Sequence, residues 1–373
     1  MPLSDVTVVE FAGLGPAPFA GMVLAGLGAN VIRVDRPGGP PIPDPMVGVL
    51  GRGKRSIALN LKHPAAVEAM LSIVGDSDIL LEGFRPGVME RLGLGPEECL
   101  SANPLLVYGR MTGWGSVGPY SAMAGHDINF VGMSGALHAI GESNRSVPPL
   151  NLVGDGGGAL FLVAGVLAAL HDRQRSGGTV VESAIVDGAT SLMGPFYEMA
   201  ALGLWQDRRE SNLLDGAAPF YTTYTTSDGK AMAVGALEPH FYAALLEGLG
   251  IEPADLPAQY DIDRWPELRD RFASVFATRT RDEWTAVFDG TDACTTPVLS
   301  MSEAPNHPQN ADRGAFDGPD HHRLPAPNPR IGAQAPPVLG PTPVPGADTG
   351  AILLEFGFST ARIEALIEEG AAS

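Results

Sequence analysis

The stretch TVVEFAGLGPAPFAGMVLAGLGANVIRVD, residues 7–35, decides the fold. Thr7 to Phe11 is a short run that reads as a strand, and Gly13-Leu14-Gly15-Pro16-Ala17-Pro18 reads as a turn. A Gly/Ala-rich helical stretch runs on to Gly28, and Val31 to Asp35 makes a second strand. Pro18 suits the first turn of a helix, where its missing N–H costs little and its fixed φ helps. Strand, glycine turn, helix and strand form the βαβ unit of a parallel sheet. With Asp35 twenty residues after Gly15, the unit imitates a dinucleotide fingerprint. Pro18, however, occupies the position of the third glycine of G-x-G-x-x-G, the one that lets the helix pack closely on its strand, and this argues against a nicotinamide site.

Outward from this unit the pattern repeats. Ser56 to Leu61, Asp78 to Glu82, Leu105 to Met111 and Val180 to Val186 read as further strands, with a helix from His63 to Val74 and another fed by the glycines after Asp155. Everything to about Val186 therefore reads as one α/β domain. After Asp187, Asn212 to Gly216 and Tyr221 to Thr226 are β-prone, and Ser227-Asp228-Gly229-Lys230 is a hairpin-turn signal. Helical patterns at Pro239 to Leu249 and Arg264 to Phe288 complete a smaller α+β unit. Residues 304–346 are rich in Pro, Asn, His and Asp and read as a long connector, before helical periodicity returns at Thr349 to Gly370.

The 373 residues carry 43 acidic and 24 basic side chains, a net charge of −19, which argues against a nucleic-acid partner. No run of roughly 18 apolar residues occurs, so no membrane span is expected. The N-terminus lacks the basic flank of a signal peptide, and the lysine-poor, arginine-rich composition points to a cytoplasmic enzyme. Two cysteines, Cys99 and Cys294, make no disulfide framework, and His321-His322 lacks further ligands at useful spacing, so no metal site is expected. Gly48 to Lys54 is close to a P-loop, but Arg55 stands at the Ser/Thr position and the flanking elements are reversed.

Nine of the 24 cations fall between Arg33 and Arg110: Arg33, Arg36, Arg52, Lys54, Arg55, Lys62, Arg85, Arg91 and Arg110. Such a cluster in an acidic chain suits a small polyanion, because the guanidinium fork matches phosphate oxygens. The plainer alternative is a set of surface charges. Two segments carry the chemistry. Gly125-His126-Asp127-Ile128-Asn129-Phe130 sets an imidazole beside a carboxylate before an apolar helix. Asn151-Leu152-Val153-Gly154-Asp155 leads into three glycines opening another helix, whose first N–H groups are expected to form an oxyanion site. Equally, Asp127 and Asp155 are of a type that commonly serves as helix N-cap.

These segments belong to a longer series: Gly51 to Ser56, Arg85 to Pro96, Gly125 to Phe130, Asn212 to Gly216, Val234 to Pro239, Asp289 to Cys294 and Leu354 to Ser359. In that order, and across almost the whole chain, the sequence resembles the α-methylacyl-CoA racemases of the family III CoA-transferase superfamily. The resemblance implies an α/β fold with a Rossmann-like large domain built from both chain ends, a smaller α+β domain and an interlocked homodimer. The corresponding boundaries are 1–186 for the first part of the large domain, 187–220 for a linker, 221–300 for the small domain, 301–346 for a returning linker and 347–373 for the C-terminal helical part.

It further implies racemisation of 2-methylacyl-CoA thioesters through a planar enolate, with no cofactor beyond the CoA of the substrate. His126 and Asp155 are the two acid/bases on opposite faces of the α-carbon, Glu238 of a second chain pairs with His126, and Asn151 bonds Asp155. Arg36, Leu59, Asn60, Leu61, Lys62, Arg85, Arg91 and Gly125, His126, Asp127, Ile128, Asn129 and Phe130 line the CoA site. Two positions depart from the pattern: Gly156 where relatives carry a larger residue, and Asn60 where close relatives carry Asp. The competing reading in the superfamily is a CoA-transferase with Asp127 as nucleophile. The histidine immediately before Asp127 argues against it.

Overall fold

Strand β1, Thr7–Phe11, lies at the centre of the first unit of the computed structural model, which describes residues 1–38, 45–332 and 335–373. The chain continues through α1 (Pro16–Gly26), β2 (Asn30–Asp35), α2 (Pro45–Leu50), β3 (Arg55–Ala58), α3 (Pro64–Gly75), β4 (Ile79–Glu82), α4 (Val88–Arg91), α5 (Pro96–Ala102) and β5 (Val107–Thr112). A sixth strand, Thr179–Ala184, follows the long helix Gly157–Ser176. All six strands are parallel, in the order β3-β2-β1-β4-β5 and then Thr179–Ala184. The order reverses between β1 and β4. In open parallel sheets, ligands bind outside the carboxyl ends of the strands at such a switch point.

Because successive side chains in a strand point to opposite faces, β1 feeds two cores. Val9 and Phe11 join Ile32, Ile57, Leu80 and Tyr108 on one face, covered by α3 and by residues of the C-terminal helices Thr349–Glu355 and Thr360–Glu368. Val8 joins Val31, Ile79, Leu81 and Val107 on the other, covered by α1 and Gly157–Ser176. Strands buried on both faces read as largely apolar runs; Val8-Val9 in β1 and Ile79-Leu80-Leu81 in β4 show this, each followed by one buried glutamate, Glu10 and Glu82. The segment Leu152–Ser176 is long and apolar enough to cross a membrane by length and composition. Its Ala159, Leu162 and Val166 are fully buried in the second core, so it is a core helix of this unit.

The first unit comprises residues 1–134, 150–192 and 311–373; the second comprises 135–149 and 193–310. The second unit holds the antiparallel strands Tyr221–Thr225, Ala231–Gly235 and Thr295–Pro297, against a core that includes Phe220, Tyr224, Leu245, Phe272, Phe276 and Trp284. Two sequence expectations need correction here. The helical pattern from Arg264 to Phe288 is two helices, Trp265–Phe276 and Arg281–Phe288. Thr280 starts the second, its hydroxyl accepting the Glu283 N–H while the Glu283 carboxylate accepts the Thr280 N–H, a capping box. Asn212 to Gly216 is a turn, in which Asp215 accepts the N–H groups of Ser211, Asn212 and Ala217.

One charged pair sits inside the first unit. Glu10, in the middle of β1, and Lys54, just before β3, have fully buried side chains. Lys54 Nζ donates to both Glu10 oxygens at 2.8 and 2.6 Å and to the Pro18 carbonyl of α1 at 2.9 Å. Burial pushes the Glu10 carboxyl up and the Lys54 ammonium down, and each partner opposes the shift of the other. A Cβ at Gly21 would fall on the Glu10 carboxylate, so the helix approaches this closely only because residue 21 is glycine. Lys54→Met strands a buried carboxylate and should cost about 3–5 kcal/mol of stability, whereas Glu10→Leu combined with Lys54→Met should cost clearly less. Urea denaturation of the two variants checks this ordering, which fails if the double variant is the less stable.

Candidate active site

At the switch point a cavity of about 420 Å³ opens, lined by the segments that leave the carboxyl ends of three strands. Leu14 to Ala17 follow β1, Gly83 to Pro86 follow β4, and Gly113 and Trp114 follow β5. The remaining wall comes from Ser121 to Asp127, Phe130, Asn151, Asp155 and Ile185. His126, Asp155, Asn151, Arg85, Gly125, Asp127 and Phe130, all singled out in the sequence, therefore share one cavity.

His126 is the exposed N-cap of α6, Asp127–Met133, and its backbone N–H donates to Asn129 Oδ1 at 3.0 Å. Asp127 is the first residue inside the helix and is only 4 % exposed. Its Oδ1 accepts the Asp155 N–H at 2.7 Å, tying together two segments 28 residues apart. Asp127 thus serves a backbone beyond its own helix.

The second segment corrects an expectation. Leu152–Gly156 is a turn of π-helix that runs directly into Gly157–Ser176. Within it the Gly156 N–H donates to Asn151 O at 3.0 Å, and the Gly157 N–H is turned to Leu152 O and Gly154 O. With the Asp155 N–H on Asp127, the N–H groups of residues 155–157 are all occupied and form no oxyanion site. The N–H groups of Asp127 and Ile128, at the start of α6, have no acceptor among the described residues. Gly156 is helical, with φ −64°, and the nearest atom to an added Cβ would be Asn151 O at 3.5 Å. Glycine is not required there.

Asn151 Nδ2 donates to Asp155 Oδ2 at 3.0 Å from a left-handed backbone (φ 59°), a conformation asparagine tolerates better than most residues. The Asp155 carboxyl is pushed up from its ordinary value. Burial is the main cause, with Asp127 adding to it; the Asn151 amide and His126 pull the other way. A half-buried carboxyl held up in this way, on the same cavity wall as an imidazole, is of a type that can take and return a proton.

The other residues taken from the sequence lie elsewhere. Arg36, Lys62 and Arg91 are exposed, Asn60 and Leu61 are half-buried, and Ile128 and Asn129 are exposed on α6. The Leu59 side chain belongs to the core. Glu238 is exposed and precedes the helix Pro239–Leu249 of the second unit.

The cation cluster separates into two groups. Arg33, Arg52, Lys54, Arg55 and Arg110 pair with Asp35, Asp317, Glu10, Glu355 and the Glu82–Glu90 pair. Arg36, Lys62, Arg85 and Arg91 form no ion pair among the described residues. Sequence reasoning missed Trp114, whose ring meets Phe130 edge-on at 4.6 Å to form an aromatic wall of the cavity. Its signal was the glycine-flanked tryptophan directly after a strand. No group of three metal-ligating side chains occurs among the described residues.

A family model, CoA-transferase family III, matches residues 3–349. The chain is 48 % identical over 375 residues to the α-methylacyl-CoA racemase of Mus musculus, covering 97 % of this chain and 95 % of that one. It is 46 % identical over 368 residues to the α-methylacyl-CoA racemase of Homo sapiens, with the same coverage of both chains. Among solved structures, a CaiB/BaiF family protein from Brucella suis shares the fold, with a TM-score of 0.81 at 24 % identity over 95 % of this chain and 99 % of that one.

The geometry predicts the behaviour of Asp155. Asn151→Ala removes a donor that favours the ionised form, so the Asp155 pKa should rise further, as read by carbon-13 NMR titration of its carboxyl. An unchanged or lowered value would show that Asn151 does not tune this carboxylate.

Proposed function

The chain belongs to family III of the CoA-transferases, and from that premise we infer that it is a racemase interconverting (2R)- and (2S)-2-methylacyl-CoA thioesters. The observation that carries the mechanism is the single cavity shared by His126 and by an Asp155 whose carboxyl is held up by burial. Inverting C2 requires removing its proton from one face and returning a proton to the other. His126 as neutral imidazole and Asp155 as carboxylate each take one face and exchange roles with the direction of reaction. Between the two transfers the thioester carbonyl oxygen carries the charge of a planar enolate. We assign its stabilisation to the Asp127 N–H, next in the chain to His126; one such donor is typically worth about 2.7–4 kcal/mol.

Asn151 orients Asp155. Glu238 of a second chain pairs with His126, holding the ring and stabilising the imidazolium. The four cations without an ion pair among the described residues, Arg36, Lys62, Arg85 and Arg91, bind the phosphates of CoA, with Leu59, Asn60 and Leu61 beside Lys62 and Gly125 to Phe130 along the thioester. CoA is part of the substrate and no other cofactor is required. Asp127 is the nucleophile of the competing transferase reading. Its buried carboxylate and its bond to the Asp155 N–H support a positioning role instead.

The active unit is an interlocked homodimer of two-domain chains. Exposed Leu160 and Phe161 on one long helix support it, as does the helix Gly194–Ala201, which buries no residue. Apolar surface of this kind marks association sites. A cytoplasmic location belongs to the same proposal.

In heavy water with a 2-methylacyl-CoA and no added acid, mass spectrometry should find deuterium at C2 as the ester racemises. Absence of label, or exchange that needs a second carboxylic acid, overturns the assignment. His126→Ala and Asp155→Ala should each lower kcat/KM for racemisation by about 10²–10⁴, the range for a lost general acid or base, with little change in CoA-ester affinity.

A further inference from the structure

Of the five paired cations, Arg110 is distinguished by what its partners hold. It lies near the carboxyl end of β5, in direct register with Glu82 on β4. Its Nε donates to Glu82 Oε1 at 2.6 Å and its Nη2 to Glu90 Oε1 on α4 at 2.7 Å. The other Glu82 oxygen accepts the Phe84 N–H at 2.8 Å. A continuous series of charge-assisted bonds therefore runs from α4 through one guanidinium to the backbone of the segment that follows β4. The Arg110 and Glu82 side chains are 11 % and 2 % exposed, so solvent screens their bond little.

The same strand also holds the far end of this segment. Arg110 stacks over the Tyr108 ring at 5.5 Å, and the Tyr108 hydroxyl donates to Leu94 O at 3.2 Å. Residues 83–94 are thus gripped near Phe84, at Glu90 and at Leu94. Between these points the chain turns through Gly87, whose φ is 81°. Arg85, on the cavity wall, and Arg91, the neighbour of Glu90, both project from this gripped segment. Neither has an ion-pair partner of its own among the described residues.

We propose that Arg110 is a positioning residue for the nucleotide end of the substrate: by bridging Glu82 and Glu90 it fixes the segment that offers Arg85 and Arg91 to the CoA phosphates. This rests on the proposed reading of those two cations as phosphate ligands. Arg110 itself meets no substrate. Its planar fork reaches two carboxylates at once, which a lysine ammonium, a single point charge, does not reproduce.

The test compares two thioesters of the same 2-methylacyl group, one of CoA and one of pantetheine, which lacks the adenosine phosphates. Arg110→Gln should raise KM for the CoA ester about tenfold with kcat within about twofold, the signature of lost uniform binding, and leave both constants for the pantetheine ester unchanged. Arg110→Lys should recover part of the loss. Glu90→Gln, which cuts only the α4 end at a half-exposed carboxylate, should shift KM in the same direction and decides the matter alone if Arg110→Gln does not fold. If the wild-type enzyme has the same KM for both esters, the phosphate seat itself is wrong and the proposal falls with it. If the wild type discriminates and the folded variants keep that discrimination, or lose both substrates equally, the role of Arg110 alone is overturned.

Discussion

The site depends on one hydrogen bond, from the backbone N–H of Asp155 to the buried carboxylate of Asp127. Each segment it joins is irregular on its own: one is a cap before a seven-residue helix, the other a π turn entered through a left-handed asparagine. A charged acceptor on a backbone N–H, removed from solvent, is among the stronger bonds available to a protein. Here it fixes the backbone between His126 and Asp155, because His126 precedes Asp127 and the Asp155 side chain springs from the residue bound. Close approach is part of the constraint: a Cβ at Gly154 would overlap the Asp127 carboxylate.

Charge is distributed by the same logic. A chain with 19 excess negative charges has carboxylates to spare, and five of its nine clustered cations are matched with them. Removing a cation from water without a partner is costly, so those that are buried are paired. The four left without an ion pair among the described residues are all exposed. Exposed cations with no ion pair among the described residues keep their donors free, and this separates them from structural arginines that look identical in the sequence.

Much of this was legible in the sequence. The β1–α1–β2 unit was readable because its strands carry short β-branched runs, Val8-Val9 and Val31-Ile32, and because Gly15 and the prolines after it mark a turn and a helix start. His126 and Asp155 were singled out through the family resemblance, and both line the one cavity. What sequence could not supply was the partner of each backbone group. Three glycines after Asp155 suggest free N–H groups, yet the π turn consumes them, since whether a helix begins at residue 152 or 157 depends on a contact with Asp127 far away in the chain. Leu59 stands in a motif but faces the core, since a side chain's direction follows from the register of β3 against its neighbour. Arg110 was indistinguishable from Arg85 until Glu82 and Glu90 were seen around it.

The setting of α1 completes the account of Asp155. An added Cβ at Gly15, the residue that precedes α1, would lie 3.3 Å from Asp155 Oδ2, so the carboxylate sits against a helix N-terminus. Such an end ordinarily lowers a carboxyl pKa through its dipole and its free N–H groups. This one is poor in donors. Pro16 and Pro18 have no N–H, and the Phe19 N–H is turned to Gly15 O at 3.2 Å, leaving Ala17 as the sole free position of the first turn. The backbone is therefore kept close to Asp155 while most of a helix end's stabilisation of an anion is withheld. Burial then prevails over the Asn151 bond, and the Asp155 carboxyl is raised from its ordinary value. Pro16 and Pro18, which have no N–H, thus leave this helix start poor in donors where it meets the Asp155 carboxylate.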